Sequence, residues 1–148
     1  MSAEPIHACI ERWHLQTRGE LDGGLDAILH EDCVFLSPIV FTPQRGRDIT
    51  KLYLRAAGST LADADASSEA ASLSSGSSFR YTKEIRQGHH AMLEFETEVE
   101  GKYVNGVDII SCDDNGMIVE FKVMIRPLQA INAVHAQMQA MLEQLADG

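Results

Sequence analysis

Basic side chains are scarce in this sequence: 12 Lys and Arg stand against 22 Asp and Glu, a formal net charge of −10. Phosphate backbones and anionic lipid repel such a chain, so neither nucleic-acid nor membrane-surface binding is expected. Long apolar runs are missing as well, and none approaches the ~18 residues that a membrane span requires. The opening Met1-Ser2-Ala3-Glu4-Pro5 lacks the basic and then apolar stretch of a secretory signal. Cysteine is limited to Cys9, Cys33 and Cys112, an odd and scattered set without C-x-x-C, which fits a reducing compartment rather than a disulfide framework. A soluble, cytoplasmic protein is the expectation. Its 148 residues, 45% of them hydrophobic, suit one domain spanning 1–148 with an ordinary core.

Motifs for several chemistries are also absent. The six histidines form no ligand set: His89 and His90 are adjacent, and His7 and His14 lie two helical turns apart. With no H-x-x-x-H and no carboxylate at ligand spacing, no metal site is expected. Asp113-Asp114-Asn115-Gly116 lacks the alternating ligands and terminal Glu of a calcium loop and reads as a hairpin turn. There is no glycine-rich phosphate loop, no G-x-S-x-G and no Cys-His pair, and no cofactor is expected.

Periodicity supplies the organisation. Ile6, Cys9, Ile10 and Trp13 recur at helical spacing, predicting a helix over 5–18 that starts at Pro5 and ends at Gly19. A short helix is predicted over 21–29, weakened by Gly23-Gly24, then a strand over 33–37 stopped by Pro38. A helix follows over 48–57. Residues 58–78 contain eight Ser and five Ala in 21 positions, with Leu61 and Leu73 the large apolar side chains. Such a segment buries too little to offset its ordering entropy; it is a surface insertion or a flap over a pocket mouth. Beyond it the period becomes two, predicting strands over 79–86, 91–100, 103–112 and 117–126 joined by short turns, hence an antiparallel meander. The alternating Glu94, Glu96, Glu98 and Glu100 read as a solvated strand face. Leu128, Ile131, Val134, Met138, Met141 or Leu142, and Leu145 mark one stripe of a C-terminal helix over 127–147. Helices first and strands later make the class α+β.

This order resembles the nuclear-transport-factor-2-like fold, whose members include ketosteroid isomerases, SnoaL-like polyketide cyclases and limonene-epoxide hydrolase. Three patterns carry the resemblance over roughly residues 6 to 126. One runs from Ile10-Glu-Arg-Trp13 through Gly19-Glu-Leu-Asp22-Gly23 to Phe35-Leu-Ser-Pro38. Another is Pro43-Gln-Arg-Gly46 before a helix. The last is Val107-Asp108-Ile-Ile followed by Asp114-Asn-Gly116-Met-Ile118. The resemblance implies a cone-shaped fold with N-terminal helices packed on a curved antiparallel sheet, here with an extra C-terminal helix, and a homodimer paired through its sheets. Against the ketosteroid isomerases the register runs without a gap over the 24 positions from Trp13 to Ser37. It places Trp13 where that family has an oxyanion-stabilising Tyr and Ser37 where it has the Asp base. Asp108 matches the family's hydrogen-bonding carboxylic acid. The usual steroid isomerisation is therefore not implied. The epoxide-hydrolase triad is not matched beyond Asp108.

Asp108 lies mid-strand, sharing a face with Val104, Gly106, Ile110 and Cys112. Among such neighbours a carboxylate is desolvated and its pKa rises, which suits a general acid/base or an oxyanion donor. The alternative is a buried, hydrogen-bonded structural Asp. Trp13 and Tyr53 are pocket or core aromatics. Phe121, Val123 and Ile125 share the pocket face, with Glu120, Lys122 and Arg126 pointing away. The expected pocket is lined by Trp13, Ser37, Tyr53, Val104, Ile110, Phe121, Val123 and Ile125, and takes a small hydrophobic molecule. The protein is then a cofactor-independent isomerase, cyclase or hydrolase using Asp108. Alternatives are a non-enzymatic ligand carrier, or an interaction module working through its outer sheet face and last helix.

Overall fold

A computed structural model describes residues 4–61 and 79–147. The elements are α1 (Pro5–Thr17), α2 (Leu25–Ile28), β1 (Leu29–Leu36), β2 (Gln44–Arg45), α3 (Arg47–Leu61), β3 (Arg80–Gln87), β4 (His90–Val99), β5 (Lys102–Cys112), β6 (Ile118–Arg126) and α4 (Leu128–Asp147). The expectation for 58–78 falls outside the described residues beyond Leu61. The six strands form one sheet in the order β2-β1-β6-β5-β4-β3. From β3 to β6 it is the antiparallel meander that the period-two pattern predicts. β1 joins β6 in parallel, Phe35 opposite Phe121, so the curved, unclosed sheet is mixed rather than wholly antiparallel.

α1 buries Ile6, Cys9, Ile10 and Trp13, the residues its periodicity selects, and Gly19 follows it at a positive φ of 72°. The second helix is shorter than its predicted 21–29. Gly23 and Gly24 take φ of 84° and 60°, a conformation a right-handed helix cannot contain, so the helix begins only at Leu25. β1 correspondingly starts at Leu29, ahead of the expected Cys33. At the β5–β6 hairpin, Asp113 Oδ1 accepts the N–H groups of Asn115 and Met117, each at 2.9 Å, with Gly116 at φ 79°.

Two apolar clusters fill the concave side. In the larger, α1 packs against Phe35, Leu93, Ile110, Phe121 and Val123. The other joins α4 to the far end of the sheet through Ala130, Ala133, Val134 and Met138 against Phe95, Val99, Val104 and Ala56 of α3. Burying a side chain such as Val134 or Met138 is worth about 1.5–3 kcal/mol. The buried stripe of α4 is rotated from the expected one: Ala130 and Ala133 face inward, while Leu128 is 71% exposed. Small residues let the helix approach α3 and the sheet closely, so packing selects them over the larger Leu128. The side chains of Met141, Leu142 and Leu145 lie outside the described residues. Among the described residues no helix is long and apolar enough to cross a membrane.

Candidate functional site

Alternation along β5 turns Val104, Gly106, Asp108 and Ile110 to the concave side, as expected, and leaves Asp108 only 7% exposed. In register, Leu93 of β4 and Val123 of β6 flank it. Its partner comes from β3: Tyr81 donates its hydroxyl proton to Asp108 Oδ2 at 2.7 Å. The same Tyr81 oxygen accepts the Trp13 indole N–H at 3.1 Å. α1, β3 and β5 thus meet in a directed chain, Trp13 to Tyr81 to Asp108. Asp108 Oδ1 has no hydrogen-bond partner among the described residues.

Electrostatics follow from that burial. Loss of hydration pushes the Asp108 carboxyl from its ordinary 3.8 up to about 7, with the Tyr81 hydrogen bond working in the opposite direction. Tyr81 is held well above its usual 10.0, first by burial and then by the Asp108 charge, so it stays a protonated donor. On the outer side of Tyr81, the His14 ring meets it edge-on at 5.7 Å while His14 Nε2 pairs with Glu84 Oε1 at 2.7 Å. Glu84 also binds Arg86; although partial burial pushes its carboxyl up, these partners outweigh it and hold the group below its usual range.

Aromatic rings line the interior. Trp13 lies 5.0 Å from Phe121, Phe121 lies 6.1 Å from Phe35, and Phe35 stacks on Tyr53 at 5.2 Å. Tyr53 then reaches a cleft of about 250 Å3 between the segment after β1 and α4, walled by Ser37, Ile39, Val40, His135 and Met138. Trp13, Ile110, Phe121 and Val123 gather in the larger cluster, beside Asp108, and Ile125 packs against both clusters. Val104 belongs instead to the cluster under α4. Ser37 is at the cleft. Its Oγ accepts the N–H groups of Ile39 and Val40 at 2.9 and 3.1 Å, closing a turn before the chain reaches β2.

Tyr81 is the participant that periodicity does not single out. It alternates with Phe79 at the sheet edge, and its signal is the polar tip that a buried Asp108 requires. The cysteines are buried free thiols, and burial, reinforced by Cys112, pushes Cys9 up to about 12, far from a reactive thiolate. Among the described residues no group of three or more His, Cys, Asp or Glu is arranged to hold a metal.

Comparison with solved structures places this architecture. A steroid delta-isomerase from Pseudomonas aeruginosa superposes with a TM-score of 0.80 at 28% identity, over 97% of this chain and 96% of that one. The chain has the nuclear-transport-factor-2-like fold. A protein with a cystatin-like fold from Silicibacter pomeroyi matches this chain at 27% identity and a TM-score of 0.74, over 92% and 86% of the two chains. A nuclear-transport-factor-2-like protein from Burkholderia xenovorans shares the fold at 16% identity and a TM-score of 0.60, over 90% and 98%. No protein-family model and no curated protein matches the sequence.

Proposed function

We propose that this protein binds a small, uncharged apolar molecule within the cone and moves a proton on it with Asp108, as an isomerase, cyclase or hydrolase without a cofactor. The observation that carries this reading is the buried Asp108 carboxyl, poised near neutrality in an otherwise apolar interior, with one oxygen uncommitted among the described residues. The steroid delta-isomerase neighbour supports an isomerase reading of the scaffold. In an isomerisation of a β,γ-unsaturated ketone, Asp108 takes a proton from the carbon between the carbonyl and the double bond; the C–H pair becomes a C=C bond as the carbonyl π pair moves to oxygen. The same proton then returns to the γ-carbon, the oxygen's pair re-forms the carbonyl and the double bond ends up conjugated with it, so no external acid or oxidant is needed. A neutral substrate follows from the charges: among the described residues Asp108 has no cationic partner, and a substrate anion would add a second uncompensated charge.

A carrier without catalysis is the second reading. It is favoured by Ser37, whose hydroxyl accepts two backbone N–H groups to close a turn and is not itself a base. Pairing into a homodimer completes the proposal, on the outer sheet face where Ile85 and Met124 are exposed and Met92, Val107 and Ile109 lie between them. The buried free thiols fit a cytoplasmic setting. Native mass spectrometry of protein purified from its own host tests the binding reading. A retained neutral apolar molecule supports it. A retained carboxylate or phosphate overturns it.

A further inference from the structure

We propose that Tyr81 is the positioning residue of this site: oriented by the Trp13 indole, its hydroxyl holds Asp108 Oδ2 and so assigns Oδ1 as the atom that exchanges a proton with the substrate. This rests on the acid/base reading of Asp108. The direction of the chain decides it. An indole N–H can only donate, so it occupies the Tyr81 oxygen as an acceptor and leaves the phenolic proton to point elsewhere. That proton is aimed at Oδ2, with the oxygens 2.7 Å apart. The bond favours the ionised carboxylate, and therefore an Asp108 that starts the cycle as a proton acceptor. Protonation on Oδ1 leaves the Tyr81 bond in place, so the carboxyl need not rotate between taking up the proton and returning it.

The surroundings let this contact be isolated. β4 and β6 offer Leu93 and Val123 to Asp108, neither of which titrates. From α1 and β3 the charged groups near the chain are His14 and Glu84, paired with each other and, through Glu84, with Arg86 on the outer side of Tyr81. Burial and the Tyr81 bond are the influences on the Asp108 carboxyl. Removing the bond leaves burial unopposed.

The test follows the Asp108 carboxyl carbon by NMR across pH in protein labelled at Asp, with Asp108→Asn identifying the resonance. Tyr81→Phe should raise the Asp108 midpoint above its wild-type value by about one pH unit, a tenfold change in proton affinity. Trp13→Phe retains a ring against Phe121 and should shift the midpoint the same way by less, because the Tyr81 hydroxyl becomes a weaker donor. Glu84→Gln should leave the midpoint where it is. The proposal is overturned if either ring variant, once folded, titrates like the wild type or lower. It is also overturned if Glu84→Gln moves the midpoint as far as Tyr81→Phe, since long-range charge would then explain the shift. No ligand enters this experiment, so a failed search for substrate leaves the result intact.

Discussion

Burial of the Asp108 carboxyl makes stability depend on pH. The group's pKa is raised from 3.8 to about 7, so between those values the folded protein holds a proton that the unfolded chain has released. Stability contributed at this position is therefore complete below the unfolded value, declines as pH rises through the interval, and levels off above about 7. Asp108→Asn remains neutral throughout. Its stability relative to wild type should climb across that window by roughly a few kcal/mol and then stay flat, as read by urea denaturation at stepped pH. A difference that does not change with pH would mean that Asp108 is not desolvated. The position was legible because alternation along β5 and the family register both led to it. Its partner was not: Tyr81 reaches Asp108 only because β3 and α1 converge from distant parts of the chain, and no local pattern contains that contact.

At the scale of elements, β5 leaves little room at Gly106. A Cβ on Gly106 would stand 2.5 Å from Phe95 Cζ and 2.6 Å from the Met124 carbonyl oxygen. The ring of Phe95 can move, but the β6 backbone cannot without breaking its ladder with β5. Gly106→Ala should therefore lower stability by about 1–3 kcal/mol, measured as a fall in the urea midpoint. An unchanged midpoint would show that β5 and β6 are farther apart than described. Elements were legible wherever one periodicity ruled them, as in α1 and the meander. α2 and α4 departed for separate reasons: two positive-φ glycines delay the first, and close packing on α3 turns the second toward Ala130 and Ala133. The parallel pairing of β1 with β6 brings together strands far apart in sequence, so neither strand's own pattern specifies it.

Across the molecule, the two sides of the sheet serve different ends. The convex side carries Ile85 and Met124 in the open, flanked by ion pairs such as Arg80 with Glu96. If a second copy covers that face, Met124→Glu places a charge in the interface and should convert a dimer to a monomer in sedimentation. A wild type that sediments only as a 16.3 kDa species would exclude the dimer. The concave side holds Asp108, which on the proposed reading moves protons on a neutral apolar substrate. Its decisive assay is incorporation of solvent deuterium into a panel of uncharged enolisable ketones, followed by NMR. Wild-type protein should catalyse exchange, at a rate that falls roughly a hundredfold or more in Asp108→Asn. If Asp108→Asn exchanges as fast as the wild type, Asp108 is not the group that moves the proton.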